Sequence, residues 1–458
     1  MMQKNQEYEG LVSGLGTEGE GIIHTEGATV FVPFCLNGEK VKFKVLKSKD
    51  SIAYGKLTEI VTPSMERVEP VCGVFKKCGG CDIQHMSYSA QLAFKRESVK
   101  SALKKIGGID IEVEPTVPSE SVLRYRNKLV LPIGEDEDGR VQVGFYARRS
   151  HRIVPVSDCP IQSEKVKDII GCITEFAEKV GAYNEVTRKG TLRKFAAREV
   201  GENLIFVLVT ARRVDTKPLI ESLKKKFKSF TLLLNINEGT GNGIFGDKWI
   251  CEYGCGFFEA EENGIKFMAG GNTFLQINDS VRQKLYEKVL SEAKGSAALN
   301  LYSGAGMLTA MLAKSCKVAY GVEINEESSR CADELKRANG LDNMYNILGS
   351  AEDKIDEVFR LTENMQRVII CDPPRKGMER SVVQAIEKSG ADRVILISCN
   401  PATLARDMGL LCGTLKDNDG ALVKDKGNGA YKIESVTPFD MFPQTKWCET
   451  LAVLSRRN

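Results

Sequence analysis

Residues 299–315 read LNLYSGAGMLTAMLAKS. An apolar run ends at Tyr302, a glycine turn follows, and the residues after it have the composition of a helix. Gly304 and Gly306 would let the backbone approach a ligand closely. Strand, glycine turn and helix in this order open a parallel α/β unit, and the neighbouring residues repeat the alternation. The strand candidates are AALNLY (297–302), VAYGVEI (318–324), RVIICD (367–372) and DRVILIS (392–398), with amphipathic stretches such as EESSRCADELKRAN between them. The spacing predicts a doubly wound parallel sheet over residues 271–458. In that architecture ligands bind at the carboxyl ends of strands, where Tyr302, Glu323, Asp372 and Cys399 all fall.

The chemistry of those strand ends is specific. Glu323 closes the second strand, where a carboxylate can accept both ribose hydroxyls of a nucleoside cofactor. The helix after it lacks the glycine series that cradles a pyrophosphate, which favours S-adenosylmethionine over a nicotinamide dinucleotide. CDPPRKGM (371–378) follows a strand, as [DN]-P-P-[YFW] does in methyltransferases of exocyclic amino groups. Arg375 stands where those enzymes have a ring to hold a flat base, which argues against amino methylation. In SCNPATLARD (398–407), Cys399 lies just past a strand, and Pro401 is expected to end it. Carbon 5 of a pyrimidine is a poor nucleophile. A thiolate adding to carbon 6 turns the ring into an enolate, and carbon 5 can then attack a methyl sulfonium. A base must afterwards take the proton from carbon 5. Glu449 in FPQTKWCET is the candidate base, with a surface carboxylate as the alternative reading. Cys371 and Cys448 are rival thiols without a strand-end turn.

The 458 residues suffice for roughly three domains at ~150 residues each. Residues 1–66 have regular glycines and, in VKFKVL, apolar Val41, Phe43 and Val45 alternating with Lys42 and Lys44. That period of two predicts short strands in a small β-barrel, a shape often used for oligonucleotides. Residues 67–270 read as mixed α and β. A helix is expected in SYSAQLAFKRESVKSALKKIG (87–107), strands at 203–211 and 231–237, and a helix in KPLIESLKKKF between them. GNGIFG (241–246) has the dinucleotide spacing but no convincing helix after it, so it is read as a turn. Net charge is +3, so any nucleic-acid surface must be local. RKGTLRKFAAR (188–198) carries five basic and no acidic side chains, and FYARRSHR (145–152) adds three basic groups and two aromatics. Both suit a phosphate backbone with stacked bases; two solvated faces are the plainer alternative. No apolar run approaches the ~20 residues that cross a bilayer, and the N-terminus has no signal-peptide core. A cytoplasmic protein is expected, with no membrane association.

Fourteen cysteines fit that compartment as metal ligands, catalytic groups or buried apolar residues, and less well as disulfides. Only His24, His85 and His151 are present, which argues against histidine-rich metal sites and against a Ser-His-Asp triad. CGVFKKCGGC places Cys72, Cys78 and Cys81 close together, and SDCPIQ offers Cys159 as a remote fourth ligand. Three clustered ligands and one distant one favour an iron–sulfur cluster over zinc, which usually takes two close pairs. Cys251 and Cys255 are taken as structural.

Taken together these motifs resemble the RNA uracil-5-methyltransferase family, in the form with an N-terminal TRAM domain and an iron–sulfur cluster. The resemblance covers nearly the whole chain. SCNPATLARD is similar to the family's nucleophile segment, with Cys399 as nucleophile, and DMFPQTKWCET to its C-terminal segment, with Glu449 as base. DPPRKG implies Asp372 in the cofactor pocket, and FLQIN (274–278) implies Gln276 there. Tyr302, Gly304 and Glu323 match the remaining cofactor positions. CGVFKKCGGCDIQH with DCPIQ matches the cluster ligands Cys72, Cys78, Cys81 and Cys159. RYRNK (124–128) and VGFYARRSHRIV look like central-domain segments. The resemblance implies a Rossmann-like methyltransferase domain at 271–458, a TRAM-like barrel at 1–66 and a cluster-bearing RNA-binding domain at 67–270. It implies S-adenosylmethionine and a 4Fe–4S cluster as cofactors, a monomer, and 5-methyluridine in RNA as product. The expected substrate is 23S ribosomal RNA, with transfer RNA or a base nitrogen as alternatives. The chain departs from the family at Asn300 and Ser303, where aspartate and cysteine are usual. It departs again at Gln444 and Trp447, where histidines are frequent.

Overall fold

The computed structural model describes residues 2–457 except 242, 274, 275, 363 and 419. Asn242 of GNGIFG and Phe274 and Leu275 of FLQIN therefore lie outside the described residues.

Residues 7–62 form six strands in one sheet. Val41, Phe43 and Val45 are fully buried in its core while Lys44 faces solvent, as the period of two predicts. The central sheet has seven strands between Lys128 and Tyr253. Two of them, Asn203–Thr210 and Phe230–Ile236, pair in parallel and are joined by the helix Lys217–Lys224. The GNGIFG stretch leads into the antiparallel strand Lys248–Tyr253 and not into a helix. Cys251 and Cys255 are exposed, so they do not belong to a core.

The C-terminal sheet holds the site. Its order runs Met344–Leu348, Val318–Glu323, Ala297–Leu301, Arg367–Cys371, Arg393–Ser398, Glu449–Arg456, Tyr431–Phe439. The first five strands are parallel and the last two are antiparallel. A purely parallel sheet is thus corrected at one edge: a hairpin whose two arms need no crossover helix closes it. The helix Tyr88–Lys105, opened by Ser87 accepting from the Ala90 N–H, belongs to this core as well. Val99 and Leu103 pack with Leu404, Met408 and the buried face of the sheet. Among the described residues no helix is long and apolar enough to cross a membrane.

Candidate active site and cysteine cavity

Strand register brings the candidate catalytic groups together. Ser398 pairs with Thr450 at the end of the antiparallel ladder, so one further step sets Cys399 beside Glu449. Cys371 pairs in parallel with both Leu301 and Leu396, so Asp372 stands between Tyr302 on one side and the Cys399 strand on the other. Cys399 occupies an elbow between strand and helix. The Ser398 Oγ accepts from the Asn400 N–H at 3.1 Å, and the Asn400 side chain accepts from the Ala402 N–H at 3.1 Å. Asn400 is therefore an N-cap. Pro401 lies in the first turn of the helix Pro401–Leu411, where its missing N–H costs nothing. The strand ends at Ser398, before Pro401, and Pro401 also starts the helix whose positive end adjoins the thiol.

Electrostatics separates the roles. Glu449 is 4% exposed. Burial and the charge of Asp372 hold its carboxyl well above the usual range, against the pull of Arg375. Burial lifts Asp372 to about 6. Burial and Glu449 raise the Cys399 thiol, while the charge and hydrogen bond of Arg375 lower it. Arg375 is itself placed: its carbonyl accepts from Asn400 Nδ2 at 3.2 Å, and its guanidinium lies 4.9 Å from the ring centre of Trp447. Sequence reasoning noted Arg375 only as a missing aromatic residue. Its nearness to a thiol came from the fold.

The turn after the first strand fits a nucleoside cofactor. Tyr302 and Gly304 both adopt left-handed backbone, with φ 61° and 54°. Both Glu323 oxygens are held, one by the Gly304 N–H at 2.9 Å and one by the Asn325 N–H at 2.8 Å. A side chain on Gly304 would meet no atom within 4 Å, so open space faces the turn. Gln276 is buried, and its carbonyl accepts from Arg282 at 3.1 Å and Asn127 at 3.2 Å. Asn300, the departure in the first strand, turns inward and donates to Thr309 at 3.0 Å.

Cys72, Cys78, Cys81 and Cys159 line one cavity of about 380 Å³ with Gln84, Arg126 and Lys128. Cys78 forms an isolated bridge with Ala147, Cys81 lies in a loop, and a Cβ on Gly79 would stand a tight 3.1 Å from the Arg148 backbone. Burial first, then other cysteines of the set, raise the Cys78, Cys81 and Cys159 thiols; backbone N–H groups pull Cys78 and Cys159 the other way. Among the described residues no group of three or more His, Cys, Asp or Glu is placed to hold a single metal ion.

The basic stretches are only partly surface. Arg188 and Lys189 are exposed, but Arg193 is buried and bidentate to Glu185 at 2.8 and 2.9 Å, and Arg198 is buried. Arg148 binds Asp82 at 2.7 Å, whereas Arg149 and Arg152 stay exposed. The expected basic stretches thus keep four exposed cations, Arg188, Lys189, Arg149 and Arg152, and Tyr146 and His151 meet edge to face at 5.4 Å.

Comparison with known proteins decides the family. The family model described as tRNA (Uracil-5-)-methyltransferase matches residues 87–457. The chain belongs to this RNA uracil-5-methyltransferase family. A TRAM-domain model matches residues 2–58, over the N-terminal sheet. Two relatives within the family's reach are uncharacterized RNA methyltransferases. One, from Clostridium tetani, is 37% identical over 464 residues, covering 99% of this chain and 97% of the relative. One from Halalkalibacterium halodurans is 35% identical, covering 100% and 98%. The solved Pyrococcus abyssi tRNA (uracil-54, C5)-methyltransferase, in complex with S-adenosyl-L-homocysteine, is similar throughout. Its TM-score is 0.75 at 26% identity, over 97% of this chain and 99% of that one.

Proposed function

We propose that this uracil-5-methyltransferase methylates carbon 5 of a uridine in RNA by way of a covalent bond to Cys399. The observation that supports the reading is the nearness of Cys399, Glu449 and Asp372, whose charges act on one another, with Cys399 one residue past the Ser398–Thr450 pair. S-adenosylmethionine, when bound, supplies an electrophilic methyl group. Tyr302, Gly304, Glu323, Gln276 and Asp372 hold it. Arg375 and the start of the helix Pro401–Leu411 stabilise the Cys399 thiolate, which adds to carbon 6. Electron density moves to carbon 5, the carbon that is methylated. Glu449 then takes the proton from carbon 5, the ring double bond re-forms and the thiolate leaves. Burial suits Glu449 to that step, because a raised pKa makes a stronger base. The target base must leave its stack to reach the crevice.

In the same reading residues 1–66 and 67–270 hold the RNA and residues 271–458 perform the chemistry, in a cytoplasmic monomer. Cys72, Cys78, Cys81 and Cys159 hold a 4Fe–4S cluster. What supports this reading is that the four thiols line one cavity. When bound it ties Cys159 to the 72–81 loop and supports the fold without redox chemistry.

The substrate we propose is 23S ribosomal RNA. A second reading, transfer RNA, is favoured by the full-length likeness to an enzyme whose name specifies tRNA uracil-54. Mapping 5-methyluridine in both RNA classes from a deletion strain tests both. Loss of one 5-methyluridine from 23S RNA supports the first, loss from transfer RNA the second. A missing methyl group on a nitrogen would overturn carbon-5 chemistry.

A further inference from the structure

Behind the crevice, residues 440–448 join the strands Tyr431–Phe439 and Glu449–Arg456 and so set how the last strand begins. Near the middle of this loop Gln444 has φ 72°, in the left-handed region. A non-glycine residue stays there only where its surroundings over-determine it. Here they do. The Gln444 N–H donates to Gln91 Oε1 at 2.9 Å, and Gln91 Nε2 donates back to Gln444 Oε1 at 3.0 Å. The Gln444 carbonyl accepts from the Asp82 and Ile83 N–H groups at 3.1 and 3.2 Å, just after Cys81. Its side-chain amide donates to the Val122 carbonyl at 3.4 Å. Gln444 is 7% exposed and Gln91 1%.

The flanking residues are tied to the same segments. Lys95 forms a fully buried ion pair with Asp440 and donates to the Phe442 carbonyl at 3.0 Å. The Tyr125 hydroxyl donates to the Pro443 carbonyl at 3.0 Å, and the Lys446 N–H to Asp82 Oδ2 at 3.3 Å. The helix Tyr88–Lys105, the cysteine loop and residues 122–125 thus converge on one hairpin tip. A hairpin needs none of this to close. The contacts instead fix the entry to a strand whose first residue is Glu449, and first residues of strands fray unless the loop before them is held.

We propose that Gln444, locked by Gln91, is a positioning residue that aims the Glu449 carboxylate at carbon 5. The proposal rests on Glu449 as the proton acceptor. Cys399 sits on a separate elbow held by Ser398 and Asn400, so addition to carbon 6 should survive when the loop is loosened. Release should not: there Glu449 must take the carbon-5 proton as the sulfur–carbon 6 bond breaks and the carbon 5–carbon 6 double bond re-forms.

The test is a single-turnover assay on an unmodified RNA transcript that accepts methyl groups, with radiolabelled S-adenosylmethionine, following the methylated protein–RNA adduct and free product. Gln444→Ala and Gln91→Ala should form the adduct at the wild-type rate and release product on the order of tenfold to a hundredfold more slowly. Combining them should add little, since both break one pair, and Gln444→Asn should recover part of the rate. Glu449→Gln is the control and should trap the adduct. If it traps adduct while both glutamine variants release at the wild-type rate, the positioning role is overturned. Equal slowing of adduct formation and release in those variants also overturns it, since that marks a general folding defect. If Glu449→Gln releases product normally, the base assignment fails, and the positioning role with it.

Discussion

The crevice and the cysteine cavity are built in opposite ways. The crevice groups stand at the ends of ladder-bonded strands: Cys399 after Arg393–Ser398, Asp372 after Arg367–Cys371, Glu449 at the start of Glu449–Arg456. The cysteines at 72, 78, 81 and 159 stand in loops, with one isolated bridge between Cys78 and Ala147. A group on a ladder keeps its place without a ligand, and catalysis gains from that pre-set geometry. Half-buried thiols on loops have no such ladder, so the proposed cluster would couple their order to metal loading. The hairpin tip at Gln444 joins the two regions.

That contrast can be broken from either side. The largest effect is expected at the joint. Lys95→Met leaves Asp440 buried without its cation and should cost about 3–5 kcal/mol, read from the urea midpoint; an unchanged midpoint would deny the joint its structural weight. Next, Arg375→Met removes the cation that favours the Cys399 thiolate. Adduct formation should fall about tenfold at neutral pH. Because burial already raises this thiol, the wild-type rate should climb with pH, and the deficit of the variant should shrink in alkali as its thiol ionises. A pH-independent deficit would show that Arg375 acts otherwise.

Cys81→Ser should abolish the brown absorbance of anaerobically purified protein and lower its melting temperature by about 5 °C. A colourless, zinc-loaded wild-type protein would refute the cluster. The smallest effect concerns the cost of the base. Glu449 has a raised pKa in the folded state, so the fold binds its proton more tightly than the unfolded chain does. Stability is therefore lost as pH rises from the ordinary carboxyl range through the folded pKa. Glu449→Gln removes that loss and should raise the melting temperature by about 2 °C at pH 7.5, with a smaller gain at pH 5.

Legibility in the sequence followed locality. Strands buried on both faces are continuous apolar runs, and Ala297–Leu301, Val318–Glu323, Arg367–Cys371 and Arg393–Ser398 lie within a residue of where those runs place them. Met344–Leu348 was not legible, because its edge position leaves Tyr345 and Leu348 exposed and breaks the run. Nor was the membership of Tyr88–Lys105 in the C-terminal core, which depends on contacts some 300 residues away, such as Gly107 with Thr414. The basic count at 188–198 misled for the same reason. Arg193 is neutralised by Glu185 and by carbonyls at Asn237 and Gly239, which a local count cannot see. Cys399, Glu449, the three clustered cysteines and Cys159 were legible as residue types in motifs. The nearness of the first two and the shared cavity of the cysteines were matters of register and of loops. The Gln91–Gln444 pair left no local signal at all.

The central claim is that Cys399 bonds to carbon 6 of the target uridine. Its most direct test is incubation with S-adenosylmethionine and 5-fluorouridine-substituted RNA, followed by peptide mapping. Fluorine at carbon 5 leaves Glu449 no proton to remove, so a stable adduct should form at Cys399 and vanish in Cys399→Ala. An adduct mapped to Cys371 or Cys448, or turnover by Cys399→Ala, would contradict the account.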